Sequence, residues 1–235
     1  MPSAYSLEVM TLPPIDPDEF VAAIQPMLAG CDAQALTSLI ESRWTHKQVA
    51  ELFASKDCDV RKVAALAFGL VGRKCCLPKL APLLKDPDPT VNQMAEHAMW
   101  SVWFRSGSQA ANAELCRGSK ALNRRDLDHA IEHFTRAIEL DPGFAEAYNQ
   151  RAIVHFLTEH FDQSMADCRA AAERMPCHFG AWAGLGHCHA HEGDLAEAVR
   201  CYRKALEINP HLEGIRQAVA ELDPRAGGDA AGQDD

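Results

Sequence analysis

The densest set of chemically capable side chains lies between positions 177 and 191: Cys177 and His178, then His187, Cys188, His189 and His191. Zinc takes cysteine and histidine ligands by preference. His187 and His191 are four residues apart, so on a helix both rings would leave one face and could share a cation. The spacing argues the other way, because no C-x2-C pair accompanies them, and these residues are expected to pack. No metal ligand is assigned. Cys75 and Cys76 are adjacent in the chain; neighbouring thiols close only a strained disulfide, and they are expected to fill a turn between helices. The motifs G-x-S-x-G, G-x-x-x-x-G-K-[ST] and H-E-x-x-H are missing. Acidic residues are plentiful but fall in turns and on exposed faces, where none pairs a nucleophile with a base. The sequence therefore predicts neither an enzyme nor a bound cofactor.

Composition narrows the classes further. The chain has 235 residues, 47% hydrophobic and 24% charged, an ordinary globular balance, with a formal net charge of −10. Lys74, Lys79 and Lys85 fall in one region, but Asp86 and Asp88 follow at once, so no basic track for nucleic acid forms. No run of about 18 apolar residues marks a membrane span. The nine cysteines are odd in number and irregularly spaced, and the first ten residues lack the basic start and apolar stretch of a secretory signal. The expectation is a reducing cytoplasm with free, mostly buried thiols.

The elements that must position these residues are set by a period. Pro142, Pro176 and Pro210 stand 34 residues apart, each at a helix stop. Within the last interval, Trp182, Leu185, Gly186 and His189 precede Ala198, Tyr202 and Ala205. Small residues at 186, 198 and 205 suit two helices that cross closely, and Trp182, Leu195 and Tyr202 suit the space beside the crossing. Glu192-Gly193-Asp194 is the turn between them. The same register places Tyr148, Ala152, Phe161, Cys168 and Ala171 before Pro176, and Gly118, Ala121, Leu127, Ala130, Phe134 and Ala137 before Pro142. Residues 111–210 thus resemble three tandem tetratricopeptide repeats, helical hairpins that stack into a solenoid. Leu212, Ile215, Val219 and Leu222 recur at helical spacing and predict a capping helix.

The resemblance implies a role: a concave groove, lined by the first helix of each unit, that holds a peptide segment of another protein. It places Leu115, Ser119 and Leu122 on the inner face of the first unit, Asn149, Gln150, Ile153 and Phe156 in the second, and His187 and His191 in the third. Apolar anchors beside amides suit an extended or helical peptide. Some family members grip a C-terminal carboxylate with a clamp of Lys, Asn and Arg. Leu115 and Ser119 stand where Lys and Asn would be needed, Gln150 replaces an Asn, and Gly184 replaces a basic residue. The resemblance so argues against chaperone tails held by a carboxylate clamp.

The N-terminal half repeats less plainly. Sliding 49–71 by 31 residues onto 80–102 matches Val60 with Val91, Ala64 with Ala95 and Ala67 with Ala98, without a gap. Asp16-Pro17 predicts a helix through about Leu28, ended by Gly30, and Asp32 predicts the cap of a second through about Ser42. Residues 16–104 resemble HEAT-like repeats. In that family an Asp in the turn and an Arg opening the second helix form a ladder; Arg61 fits that place and Asn92 departs from it. The expected fold is all-α, a right-handed α-solenoid of helical hairpins, HEAT-like followed by tetratricopeptide. The expected parts are an extended arm over 1–15, HEAT-like repeats over 16–106, three repeats and a cap over 107–223, and a disordered acidic tail over 224–235. Because Arg105-Ser106-Gly107-Ser108 is short, the halves are expected to stack into one continuous solenoid. The implied function is a scaffold or adaptor for a partner protein. The alternative is an accessory subunit or chaperone of an enzyme, since HEAT-like repeats also resemble phycobilin-lyase-type proteins, in which case a chromophore would accompany the protein.

Overall fold

The computed structural model describes residues 13–30 and 32–223; the arm expected over 1–15 lies mostly outside them, and the tail from 224 wholly so. Every regular element among the described residues is helical. Asp16 caps α1 (Pro17–Ala29) by accepting from the Asp18 and Glu19 amides at 2.9 and 3.2 Å, with Pro17 at the first position where a missing N–H costs nothing. Asp32 caps α2 (Ala33–Arg43). Thr45 and Gln48 form a reciprocal capping box that opens α3 (His46–Glu51). Then come α4 (Cys58–Val71), α5 (Leu77–Leu80) between two 3-10 turns, and α6 (Pro89–Phe104). The small residues matched by the 31-residue offset, Ala64 with Ala95 and Ala67 with Ala98, are all buried in the core where α4 meets α6. Gly69 also faces this crossing, where a Cβ would make ordinary contact with Ala98 Cα at 3.5 Å. Arg61 bridges to the turn before α6 with a bidentate pair to Asp86, 2.7 and 2.9 Å.

Three hairpins follow: α7 (Gln109–Asn123) with α8 (Leu127–Leu140), α9 (Ala145–Leu157) with α10 (Phe161–Arg174), and α11 (Phe179–His191) with α12 (Leu195–Ile208). The last helix, α13 (Glu213–Leu222), packs on α12 through Ile215 and Val219. Each hairpin turns through one left-handed residue, at Arg125 (φ 59°), Glu159 (φ 60°) and Gly193 (φ 85°). These positions are again 34 apart, and only the third uses the residue that adopts this conformation freely. The close crossings fall at glycine: a Cβ on Gly118 would sit 2.5 Å from the Phe134 ring, and one on Gly186 2.4 Å from the Tyr202 ring.

The junction departs from the expectation of one continuous stack. After α6 the chain turns, and α6 packs on α4, on the 81–85 turn and on α9. It lies across the starts of the inner helices. Trp103 is buried and stacks on His178, ring centroids 4.1 Å apart and 10° from parallel. Trp100 meets Phe179 edge-on at 5.5 Å, and the Asn92 amide lies 3.1 Å from His211 Nε2. Gly107 sits so close to Phe144 that a Cβ would clash at 2.4 Å. Phe144, His178 and Leu212 occupy equivalent positions, the N-caps of α9, α11 and α13, spaced by 34 residues. This row is the surface on which the N-terminal half rests. The cause is apolar: Trp100, Trp103 and Phe104 give α6 an aromatic face that helix pairing with α4 alone leaves in water.

Candidate functional site

Because α6 covers the starts of α9 and α11, the open part of the inner face lies toward their ends. There a recess of about 300 Å³ forms between the two helices, with Trp100 of α6 as one wall. Ile153, Phe156 and Leu157 line the α9 side, and Ala183, Gly184 and His187 the α11 side. Ile153, Phe156 and Leu157 share a helix face by their spacing of three and four. Ile153 and Leu157 remain 39% and 55% exposed, unusual for large apolar side chains beside one another. Ala152, Ser164 and Cys168 form the floor. The floor is held by Ser164, whose hydroxyl donates to the Ala152 carbonyl at 2.8 Å and receives the Cys188 thiol at 3.2 Å. Burial pushes the Cys168 thiol far above its ordinary value, with the neighbouring Cys188 adding to the shift, so it stays protonated and inert.

The rim is aromatic. Phe156 meets Phe161 edge-on at 5.5 Å and His191 at 6.1 Å, while His191 stacks on Phe161 at 4.3 Å. The Tyr202 hydroxyl lies 2.8 Å from His187 Nδ1. Burial pushes the Tyr202 phenol up to about 12, so it stays a neutral hydroxyl beside the His187 ring. Desolvation lowers the His187 pKa below the ordinary histidine value.

Beneath the start of the groove lies a buried polar network. Glu146 is fully enclosed and accepts from Gln150 Nε2 at 2.7 Å, from Asn149 Nδ2 at 3.4 Å and from His178 Nε2 at 2.8 Å. His178 Nδ1 accepts from the Ala181 amide at 3.2 Å, which fixes its proton on Nε2. A carboxylate buried in this way is tolerable only with its lone pairs filled.

The residues singled out from sequence divide accordingly. Ile153, Phe156 and His187 meet in the recess and His191 stands beside it. Asn149 and Gln150 are buried and engaged by Glu146. Leu115 and Leu122 pack into the core of the first hairpin, and Ser119 donates to the Leu115 carbonyl at 2.9 Å. Trp100 was not singled out; it comes from 53 residues before Ile153, and its signal was the aromatic face it shares with Trp103 and Phe104. The cysteine and histidine set at 177–191 disperses: Cys177 packs against the N-terminal core, His178 serves Glu146, Cys188 faces Ser164, and His189 lies 3.9 Å from Asp194. No helix among the described residues is long and apolar enough to cross a membrane.

Comparison with known proteins bears on the hairpins. Residues 115–176 and 180–212 match the tetratricopeptide repeat family. A TPR repeat-containing protein of Rhizobium etli is 25% identical over 146 residues, 62% of this chain and 72% of that protein. The small glutamine-rich tetratricopeptide repeat-containing protein 2 of Saccharomyces cerevisiae is 33% identical over 124 residues, 52% of this chain but only 36% of its own length. Among solved structures, the first TPR of Spaghetti (RPAP3) bound to the HSP90 peptide SRMEEVD superposes with a TM-score of 0.49 at 23% identity, covering 51% of this chain and 94% of that one. The expectation that carboxylate-clamp chaperone tails are unlikely partners is corrected: the relatives of this chain include the Hsp70-Hsp90 organizing protein of Triticum aestivum, 27% identical over 133 residues, 52% of this chain and 23% of that protein. The physical reason is that a groove also holds a peptide through main-chain and apolar contacts, so Leu115 and Ser119 in clamp positions do not exclude the class. The C-terminal half of the chain carries tetratricopeptide repeats.

Proposed function

We propose that this chain is a protein-interaction adaptor whose recess between α9 and α11 takes an apolar anchor from a partner peptide. The observation that carries the reading is the wall of exposed Ile153 and Leu157 and half-buried Phe156 facing a preformed cavity of about 300 Å³. That volume lies at the small end of ligand cavities. It suits a bulky side chain and its flanking backbone, with α6 closing the groove on one side. Phe156 is the central anchor contact, and Ile153, Leu157, His187 and His191 form the surround. Asn149, Gln150, Leu115, Ser119 and Leu122 act behind this surface by fixing the helices that carry it.

The N-terminal half, in this proposal, is a HEAT-like unit over 16–106 that serves as a fixed wall for the groove unit over 107–223. The gapless 31-residue offset and the Arg61–Asp86 pair between consecutive turns support it. A cytoplasmic location and the lack of an enzymatic step belong to the same proposal.

The test is a peptide selected from a displayed library on the whole chain, titrated calorimetrically against the parent and Phe156→Ala, with the HSP90 peptide SRMEEVD titrated in parallel. Phe156→Ala should keep its helical circular dichroism and bind about 1–3 kcal/mol more weakly, roughly 5- to 150-fold. Unchanged affinity would place the site elsewhere on the molecule.

A further inference from the structure

Away from the groove, three soft donors meet on the N-terminal half. His46 is the first residue of α3, and Cys75 and Cys76 end the 3-10 turn before α5. Cys75 Sγ lies 3.6 Å from His46 Nε2 and 3.8 Å from Cys76 Sγ, and all three donor atoms fall within 4.8 Å of one another. A four-coordinate ion bonded at about 2.3 Å to sulfur and about 2.05 Å to nitrogen needs donor separations of about 3.8 Å between sulfurs and about 3.6 Å between sulfur and nitrogen. The two measured edges therefore match those that one bound ion would impose.

The donors are held by rigid structure. Thr45 and Gln48 lock the start of α3, and the Gln48 amide donates to the Pro13 carbonyl at 2.8 Å. The Cys76 amide donates to the Arg73 carbonyl at 3.0 Å, and the fully buried Leu77 and Leu80 anchor the helix that follows. Cys76 is buried while Cys75 is exposed, so the set has one closed side and one side open to an entering ion. Burial and the adjacent Cys75 push the Cys76 thiol up to about 11, so an ion bound here must displace that proton.

We propose that His46, Cys75 and Cys76 form a binding site for a soft d10 cation, Zn2+ or Cu+. Two thiolates and an imidazole select this class over hard cations. Zn2+ would complete its shell with water on the Cys75 side, whereas Cu+ is satisfied by three donors. Either ion would tie the start of α3 to the turn before α5, two segments 29 residues apart.

The test uses the whole chain, reduced, anaerobic and free of any histidine tag. One equivalent of Zn2+ or of Cu+ is added in separate arms, the protein is desalted, and bound metal is measured per chain. Retention of one ion is expected in at least one arm, and the arm that retains it identifies the ion. Cys75→Ser and His46→Gln alter side chains near the surface, and their circular dichroism reports folding. Both should lower affinity by more than about tenfold, given that even outer-shell partners are worth about 10- to 100-fold, while Cys177→Ser should leave retention unchanged. Co2+ should give a thiolate-to-metal charge-transfer band in the parent that Cys75→Ser weakens. Loss of metal in neither variant, or retention of neither ion by the parent, would overturn the proposal.

Discussion

Gly186→Ala sets two measurable effects against each other. Gly186 lies inside α11, where replacing glycine by alanine ordinarily stabilises a helix by about 1 kcal/mol. Here the added Cβ would stand 2.4 Å from both Cδ1 and Cε1 of Tyr202, against an ordinary contact of 3.4 Å or more, so the ring must retreat by about 1 Å. It has little room to do so. Tyr202 is 2% exposed, packs with Ala198, Val199, Ile215 and Val219, and is tethered by its hydroxyl to His187. Overpacking costs about 1–3 kcal/mol, and a ring with so little room to retreat falls in the upper part of that range, about 2–3, so after the helix gain a net loss of about 1–2 kcal/mol is expected. Gly214→Ala is the internal control. It sits in α13 with nothing within 4 Å of the new Cβ, and should gain a few tenths to about 1 kcal/mol. Thermal melts followed by circular dichroism should separate the two variants in opposite directions from the parent, at about 2–4 °C per kcal/mol. A Gly186→Ala protein as stable as the parent would refute the helix crossing, and with it the repeat register.

Trp103→Ala should cost about 3–5 kcal/mol in a urea titration and admit protease at 105–108, because it removes the stack on His178 that seats the N-terminal half. Asp86→Asn should lose about 1–3 kcal/mol at pH 7. The Arg61 guanidinium holds the Asp86 carboxyl below the usual range, against the opposing effect of burial. A depressed folded-state value gives stability that is present above the unfolded value and lost as pH falls through the folded one, so the gap between variant and parent should close below about pH 4 in paired urea melts. His187 is neutral at pH 7 because desolvation lowers its pKa, and acidification must charge it at the recess rim, where its Nδ1 then donates to the Tyr202 hydroxyl. Binding of an apolar-anchored peptide should therefore weaken as pH falls below the ordinary histidine range, and His187→Gln should flatten that dependence in calorimetric titrations at several pH values.

The local features of the fold were legible because they are local chemistry. Asp16 with Pro17, Gly30 and Asp32 mark the bounds of α1 and α2, since caps and prolines act within a few residues. The three prolines and the small residues at 186, 198 and 205 gave the hairpins, because a helix crossing imposes size at fixed spacing. The fold-back of α6 was not legible. It rests on Trp103 meeting His178 across 75 positions, and no period in either half encodes that pairing. The candidate site inherits this split: Phe156 and Ile153 follow from the repeat register, whereas Trp100 enters only through the docking of α6. His46 and Cys75 are similarly joined by the tertiary fold, with no motif spacing to announce them.

The central claim, that a partner peptide seats between α9 and α11, is tested most directly by where that peptide touches. A photo-reactive benzoylphenylalanine is placed at Leu157, on the exposed wall of the recess, and in a second protein at Glu132, on the exposed outer helix α8. Each is irradiated with the library-selected peptide, and the cross-linked product is mapped by mass spectrometry. The account predicts a peptide adduct from position 157 and none from position 132; an adduct from 132 with none from 157 would contradict it.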